Sequence, residues 1–350
     1  MAIRVLVVDD SAFMRGAIAR VLDADDRFEV VGQASDGASA VSLARELKPD
    51  VITMDFNMPG MNGAEATRAI LAERGQPIVM LSAHTREGAT ATVEALAAGA
   101  VDYVEKPGGE VSANLSGIRE ALIEKLLQAA GANVRGGPPA SMPMSQPLSS
   151  SRRTARQDKP MPAGQRLVVI ACSTGGPAAL VELLPSLSLG KRGSLLIVQH
   201  MSAGFTEALA AQLSEHAGYA VREASGGEEL TPGSAWVARG GAHLLVDRSG
   251  RLALSDAAPV HGVRPAADVT FQSAAQVFGA RTIGVVLTGM GRDGALGLAA
   301  VKSAGGRTLA QDKASSTVYG MPRAAVELGV VDEVLSLARV GRAITTLVTS

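Results

Sequence analysis

Two α/β domains, each built on a largely parallel β-sheet, are what this sequence predicts, and three observations lead there. Short apolar runs alternate with helical patterns in both ends of the chain. Glycine is abundant, at 39 of 350 residues, while aromatics make up only 3%, a balance that suits many tight strand-to-helix turns. Between the ends, residues 131–164 are rich in Gly, Pro, Ser and Ala and lack apolar periodicity. At roughly 150 residues per domain the length also suits two.

Taken in order, the strand-like runs of the first part are Val5–Val8, Val30–Gly32, Val51–Met54, Ile78–Leu81 and Val101–Val104. Between the first two, Met14, Ala17, Ile18, Val21 and Leu22 fall on one face of a helix. Five such strands alternating with helices predict a doubly wound, five-stranded parallel sheet covered on both faces. This domain is placed at 1–127. Residues 128–165 follow as a flexible linker, because their composition cannot bury enough apolar surface to offset the entropy of ordering.

The second domain is placed at 166–350. Its continuous apolar runs, Leu167–Ala171, Leu195–Val198 and Ile283–Leu287, each lead into a glycine-containing turn and a helical pattern. Residues 219–255 read as shorter strands with turns at Gly226-Gly227, Pro232-Gly233 and Gly240-Gly241. The expectation is a doubly wound, mainly parallel sheet with an antiparallel hairpin region.

Composition removes several classes of protein. A single cysteine, Cys172, excludes an intrachain disulfide and a cysteine-only zinc cage. No apolar run approaches the roughly 18 residues of a membrane span, and MAIRVLVVDD lacks the pattern of a signal peptide. A soluble, cytoplasmic protein without membrane insertion is expected. The net charge of −1 averages unlike parts: 12 basic against 19 acidic residues in 1–127, 5 against 1 in 128–165, and 16 against 14 in 166–350. The linker cluster Arg152, Arg153 and Arg156 reads as a solvated charge run rather than a nucleic-acid contact.

In a parallel sheet all C-terminal strand ends share one edge, where ligands bind. In the first domain that edge collects Asp9, Asp10, Asp55, Ser82 and Lys106. Crowded carboxylates repel, and an all-oxygen donor set favours a hard cation such as Mg²⁺. Such an ion would shield Asp55 while a phosphoryl group is transferred to it, with Lys106 and Ser82 meeting the phosphate oxygens. Helix capping explains any one of these acids; it does not explain the whole set.

VLVVDDSAFMR, VITMDFNMPGMNG, VMLSA and VDYVEKP resemble the receiver domain of two-component response regulators, a flavodoxin-like fold. The resemblance implies phosphorylation of Asp55 by a histidine kinase. It also implies Mg²⁺ held by Asp10, Asp55 and the backbone carbonyl of Asn57, with Asp9 acting through water. Ser82 and Tyr103 would change rotamer on phosphorylation, and Lys106-Pro107 would be a cis peptide.

The same edge in the second domain brings Cys172-Ser173-Thr174-Gly175-Gly176-Pro177, Gln199-His200-Met201 and Thr288-Gly289-Met290-Gly291-Arg292-Asp293-Gly294 together. Ser173, His200 and Asp293 there supply the parts of a nucleophile system: a hydroxyl, a base to take its proton, and a carboxylate to hold the imidazole in one tautomer. Backbone N–H groups in the glycine turns would form an oxyanion hole. Rival readings are a phosphate cradle at Ser-Thr-Gly-Gly, a capping role for Asp293, His261 in place of His200, and Cys172 as nucleophile. Against Cys172, adjacent residues leaving a strand point to opposite faces.

VIACSTGGPAAL, LLIVQHM, VRPAADVTF, VLTGMGRDGALGL and AQDKASSTVYGMPRAAV resemble the catalytic domain of bacterial chemotaxis protein-glutamate methylesterases, and a receiver ahead of it matches that family's architecture. The resemblance implies hydrolysis of glutamate methyl esters on chemoreceptors, releasing methanol, and deamidation of receptor glutamines. It implies Ser173 as nucleophile, His200 as general base and then acid, and Asp293 as the orienting carboxylate. Thr174 and the Met290 backbone become supporting or oxyanion groups, and ester hydrolysis needs no cofactor. The implied partners are a chemotaxis histidine kinase and methyl-accepting chemoreceptors, with phosphorylation relieving a receiver docked over Ser173. Where the family usually shows Gly-Ala before the serine, this chain has Ala171-Cys172. Two other outputs are possible for such a chain: DNA binding, disfavoured by the second domain's near-neutral charge, and an inactive receptor-binding adaptor, disfavoured by the intact Ser, His and Asp set.

Overall fold

The computed structural model describes residues 2–82, 85–106, 116–134 and 164–350. The chain divides into two compact units, Met1–Ser141 and Met142–Ser350. The first unit runs β1 (Ile3–Val8), α1 (Ala12–Asp23), β2 (Phe28–Ala34), α2 (Gly37–Leu47), β3 (Val51–Asp55), α3 (Gly63–Glu73), β4 (Ile78–Ser82), α4 (Arg86–Ala97), β5 (Asp102–Glu105) and α5 (Ser116–Ala130). Its five strands lie in the order β2-β1-β3-β4-β5, with every neighbouring pair parallel.

Strands β3 and β4 are buried at every residue, as expected for central strands sandwiched between helices. The helices begin where short polar side chains replace missing backbone partners. The Ser11 hydroxyl accepts from the Met14 N–H, Asp36 accepts from the Ser39 N–H at 2.8 Å, and Asn62 and Glu65 cap each other's backbone at the start of α3. Val5, Val7, Val51, Val79 and Leu81 of the sheet pack with Ile18, Leu22, Leu122 and Leu126 of the helices. From β1 the chain moves to one side to form β2 and returns to form β3 on the other. That reversal opens a crevice at the C-terminal ends of β1 and β3.

The second unit runs β6 (Arg166–Cys172), α6 (Gly176–Leu183), β7 (Gly193–Gln199), α7 (Phe205–Ala217), β8 (Val221–Glu223), β9 (Ala235–Val237), β10 (His243–Val246), β11 (Leu252–Ser255), α8 (Ala267–Phe278), β12 (Thr282–Val286), α9 (Ala295–Ser303), β13 (Arg307–Gln311), α10 (Met321–Glu327), β14 (Glu333–Leu335) and α11 (Leu337–Thr349). Seven strands form one sheet in the order β14-β13-β12-β6-β7-β9-β8, parallel throughout. The reversal of direction falls between β6 and β12, so the crevice opens at their C-terminal ends. Phe271 and Leu298, both fully buried, pack α8 and α9 onto the sheet residues Val169, Ala171 and Val286.

The antiparallel region of 219–255 is confined to the β10–β11 hairpin, while β8 and β9 join the main sheet in parallel. Strands β13 and β14 do not stand out as apolar runs, because RTLAQ and EVL interleave polar residues. Helix α5 continues to Ala130, beyond the expected boundary at 127. Residues 135–163 of the expected linker, including its arginine cluster, lie outside the described residues, as does Pro107 and the cis peptide expected there. Among the described residues no helix is long and apolar enough to cross a membrane.

Candidate functional site

In the second unit β12, β6 and β7 are adjacent and parallel, so the turns that follow them meet at one edge. Ser173 follows β6 directly and is only 9% exposed. Its N–H donates to the Thr288 carbonyl at 3.0 Å, and its own carbonyl accepts from the Gln199 side-chain amide at 3.0 Å. That amide also reaches the His200 carbonyl, so one buried side chain ties both turns together. Gly289 is required at the closest approach: a Cβ there would lie 2.9 Å from the Ser173 Cβ.

His200 and Asp293 form a nearly buried pair, with Nε2 2.7 Å from Oδ2. The carboxylate therefore occupies Nε2 and leaves Nδ1 as the imidazole nitrogen to serve a hydroxyl. Asp293 gets there by capping a helix. Its Oδ2 also accepts from the Ala267 N–H at 2.6 Å, and its Oδ1 from the Asp268 N–H at 2.9 Å, the first two N–H groups of α8. Burial alone pushes the Asp293 carboxyl up. The His200 hydrogen bond and charge, with these two backbone donors, outweigh it and hold the group below its ordinary value.

Asp268 returns the arrangement. Its Oδ1 accepts from the N–H groups of Gly294 and Gly297 at 3.0 and 2.6 Å, at the start of α9. Its Oδ2 meets His261 Nε2 at 2.9 Å. Helices α8 and α9 thus exchange caps, and neither N-cap residue, Ala266 or Gly294, supplies a side-chain cap itself. His261 is hydrogen-bonded to Asp268 rather than to Asp293, although its ring nitrogen lies within 4.8 Å of an Asp293 carboxylate oxygen. Losing a cap and stranding its donors costs about 1–3 kcal/mol. Asp268→Ala is therefore expected to lower the denaturant midpoint of this unit, followed by fluorescence of Trp236, the single tryptophan, which lies in β9.

Cys172 ends β6 with no exposed surface, and burial pushes its thiol well above the ordinary value. It packs against Gly176 inside the turn. Thr174 is buried, and its carbonyl accepts from the Thr288 hydroxyl at 2.9 Å. Met290 is 39% exposed on the turn before Asp293. Gln199 and Asp268 were not singled out by sequence. Both lie inside the motifs LLIVQHM and VRPAADVTF, but nothing local distinguishes a bridging amide or a capping acid.

At the crevice of the first unit, Asp9, Asp10 and Asp55 each offer an oxygen within 4.8 Å of the others. Lys106 Nζ lies 2.8 Å from both Asp9 Oδ2 and Asp55 Oδ1. Burial raises the Asp55 carboxyl, Lys106 opposes this, and Asp9 and Asp10 add to it, so the net direction is upward. Burial disfavours the Lys106 cation, but Asp55 and Asp9 outweigh it and raise its pKa. Lys106 thus meets two of the three carboxylates, Asp9 and Asp55, in a crevice lined by oxygens.

Around this cluster, Asn57 is exposed two residues past β3. The buried Ser82 hydroxyl engages α4, accepting from Thr92 at 2.7 Å and donating to the Gly88 carbonyl at 3.3 Å. Tyr103 is half-buried on β5, beside Met80 of β4. Arg15, also not singled out, donates to the carbonyls of Asp9 and Asp10 at 2.7 and 3.1 Å.

Residues 168–344 match the family described as CheB methylesterase, and residues 5–113 match the response regulator receiver domain. The protein-glutamate methylesterase/protein-glutamine glutaminase of Symbiobacterium thermophilum is 48% identical over 353 residues, spanning 99% of this chain and 97% of that protein. The protein of the same name from Pyrococcus abyssi is 42% identical, spanning 97% of this chain and 91% of its own length. The crystal structure of the Thermotoga maritima CheB methylesterase catalytic domain superposes with a TM-score of 0.51 at 38% identity, covering 52% of this chain and 98% of that one. With both matches on one chain and near-complete coverage of its relatives, this protein belongs to the CheB family, joining a receiver domain to a methylesterase domain.

Proposed function

We propose that this chain is a phosphorylation-activated serine hydrolase that demethylates glutamate methyl esters on chemoreceptors and deamidates receptor glutamines. The observation carrying this reading is the His200–Asp293 pair at the strand edge where Ser173 leaves β6. Ser173 attacks the ester carbonyl while His200 Nδ1 takes its proton, and Asp293 stabilises the imidazolium through Nε2. His200 then protonates the departing methoxide oxygen, releasing methanol, or the departing amide nitrogen of a glutamine, releasing ammonia. The resulting acyl-enzyme is hydrolysed by water that His200 deprotonates, releasing a glutamate carboxylate. The backbone of Met290, with Thr174, is assigned to the developing oxyanion. Ester hydrolysis itself uses no cofactor.

On this reading residues 1–127 are the receiver, 128–165 a linker and 166–350 the catalytic domain of a cytoplasmic protein. A histidine kinase phosphorylates Asp55, methyl-accepting chemoreceptors are the substrates, and nucleic acid is not a partner. The three clustered carboxylates at the receiver crevice suit Mg²⁺, which Asp10, Asp55 and the Asn57 carbonyl would hold, with Asp9 through water. When bound, the ion neutralises charge between Asp55 and an incoming phosphate. Lys106 and Ser82 meet the phosphate oxygens, and Ser82 and Tyr103 change rotamer as Ser82 leaves α4.

The test is methanol release from methylated receptor membranes by the full chain. A small-molecule phosphodonor with Mg²⁺ should raise the rate of wild type, and chelating the Mg²⁺ should remove the increase. Asp55→Ala should retain the unstimulated rate and lose the response. An undiminished response in Asp55→Ala would reject the receiver assignment.

A further inference from the structure

The turn that carries Asp293 also lines a groove of about 570 Å³, with walls formed by His261, Gly291, Arg292, Gly320, Arg323 and Glu327. Its floor adjoins the Ser173 turn: the Gly320 N–H donates to the Gly289 carbonyl at 3.0 Å, and Gly289 packs against Ser173. On the opposite side His261 is held by Asp268, which in turn holds the Gly294 N–H. The groove therefore adjoins the Gly289 turn that packs on Ser173.

Two guanidinium groups face a single carboxylate in this groove. Arg292 is exposed immediately before Asp293, and its guanidinium has no hydrogen-bond or ion-pair partner among the described residues. Among the described residues Arg323 is paired only with Glu327, at 3.8 Å, one helical turn away, and these side chains are 64% and 70% exposed. Such a pair is readily exchanged for a better partner. Forked guanidinium groups recognise carboxylates in preference to neutral amides or esters.

We propose that Arg292 and Arg323 form a specificity site for polypeptide carboxylates next to the glutamyl ester being hydrolysed. This deepens, and rests on, the methylesterase reading. It also has a consequence for the order of reaction. Where a substrate carries several esterified glutamates, hydrolysis at one creates the carboxylate that favours binding for hydrolysis of the next.

The experiment compares two helical peptides with one glutamate γ-methyl ester each, flanked by glutamates in one and by alanines in the other. Methanol release by the full chain gives kcat/KM for both. Wild type is expected to prefer the acidic peptide. Arg292→Ala or Arg323→Ala should cut that preference about two- to fivefold each, carried mainly by KM. Arg292→Lys should retain part of it, and Arg292→Glu should invert it. Raising the salt concentration should erode the wild-type preference in the same direction. An acidic-to-neutral ratio that is unchanged across these variants overturns the proposal. Hydrolysis of neither peptide by wild type overturns the esterase reading, and this inference with it.

Discussion

Ser173→Ala is expected to lower methanol release by about 10⁴- to 10⁶-fold, the scale on which removing a serine nucleophile acts. Cys172→Ala, one residue earlier, is expected to leave kcat near that of wild type. The contrast rests on the geometry of β6 at its end. Cys172 is the last strand residue, fully buried, with its thiol pushed up by its apolar surroundings. The thiolate is the reactive form of cysteine, and this site suppresses it. Ser173 belongs to the turn, with its backbone held from both sides by Thr288 and Gln199. The Ser173→Ala substitution removes one hydroxyl and should leave the unfolding transition within about 1 kcal/mol of wild type. Loss of activity without loss of fold is the signature sought. The reverse pattern, with Ser173→Ala active and Cys172→Ala dead, would sink the assignment.

Asp293→Asn should produce two effects at once, and their coincidence is what identifies the residue's double duty. The first is a fall in kcat of about 10⁴-fold, because an amide cannot hold His200 in the required tautomer or stabilise its cation. The second is a loss of stability of about 1–3 kcal/mol. The carboxylate accepts from Ala267, Asp268 and Gly294 as well as meeting His200, and an amide nitrogen in either oxygen position would set donor against donor. The pH dependence follows from the direction of the shift. The folded-state pKa lies below the ordinary value of 3.8, so the stability gained is complete above that value. It is lost as pH falls through the lower folded value. Acid titration of Trp236 fluorescence should show this part of the loss below about pH 4 in wild type, and Asp293→Asn should lack it. A mutant as stable as wild type at neutral pH would remove the capping role.

The strand ends of both sheets were legible because the signals are local. Continuous runs such as LVVIA and LLIV mark strands buried on both faces, and the residue after each run stands at the edge where chemistry gathers. That placed Asp9, Asp10, Asp55, Ser173, His200 and Asp293 at two edges without any knowledge of strand order. Strand β13 escaped because it buries Thr308 and Gln311 on a central strand. Their acceptors and donors are met largely from distant segments: the Thr308 hydroxyl donates to the Val330 carbonyl and Gln311 Oε1 accepts from the Thr288 N–H, while the Gln311 amide also donates to the Ser315 carbonyl four residues on. Asp268 escaped for a related reason. An acid in a first helical turn reads as a favourable dipole partner for its own helix, whereas here its side chain caps another.

The sequence by itself determined the fold class, the chemical groups at each strand end and the family, since these depend on local periodicity and short motifs. The tertiary structure decided which groups meet and by which atoms. His200 and Asp293 are 93 residues apart and meet because β6 lies between β7 and β12. That order puts the carboxylate on Nε2, buries Cys172, pairs His261 with Asp268 and sets Arg292 beside the reactive turn. Such choices depend on packing between distant segments, where position in the chain carries no information about contact.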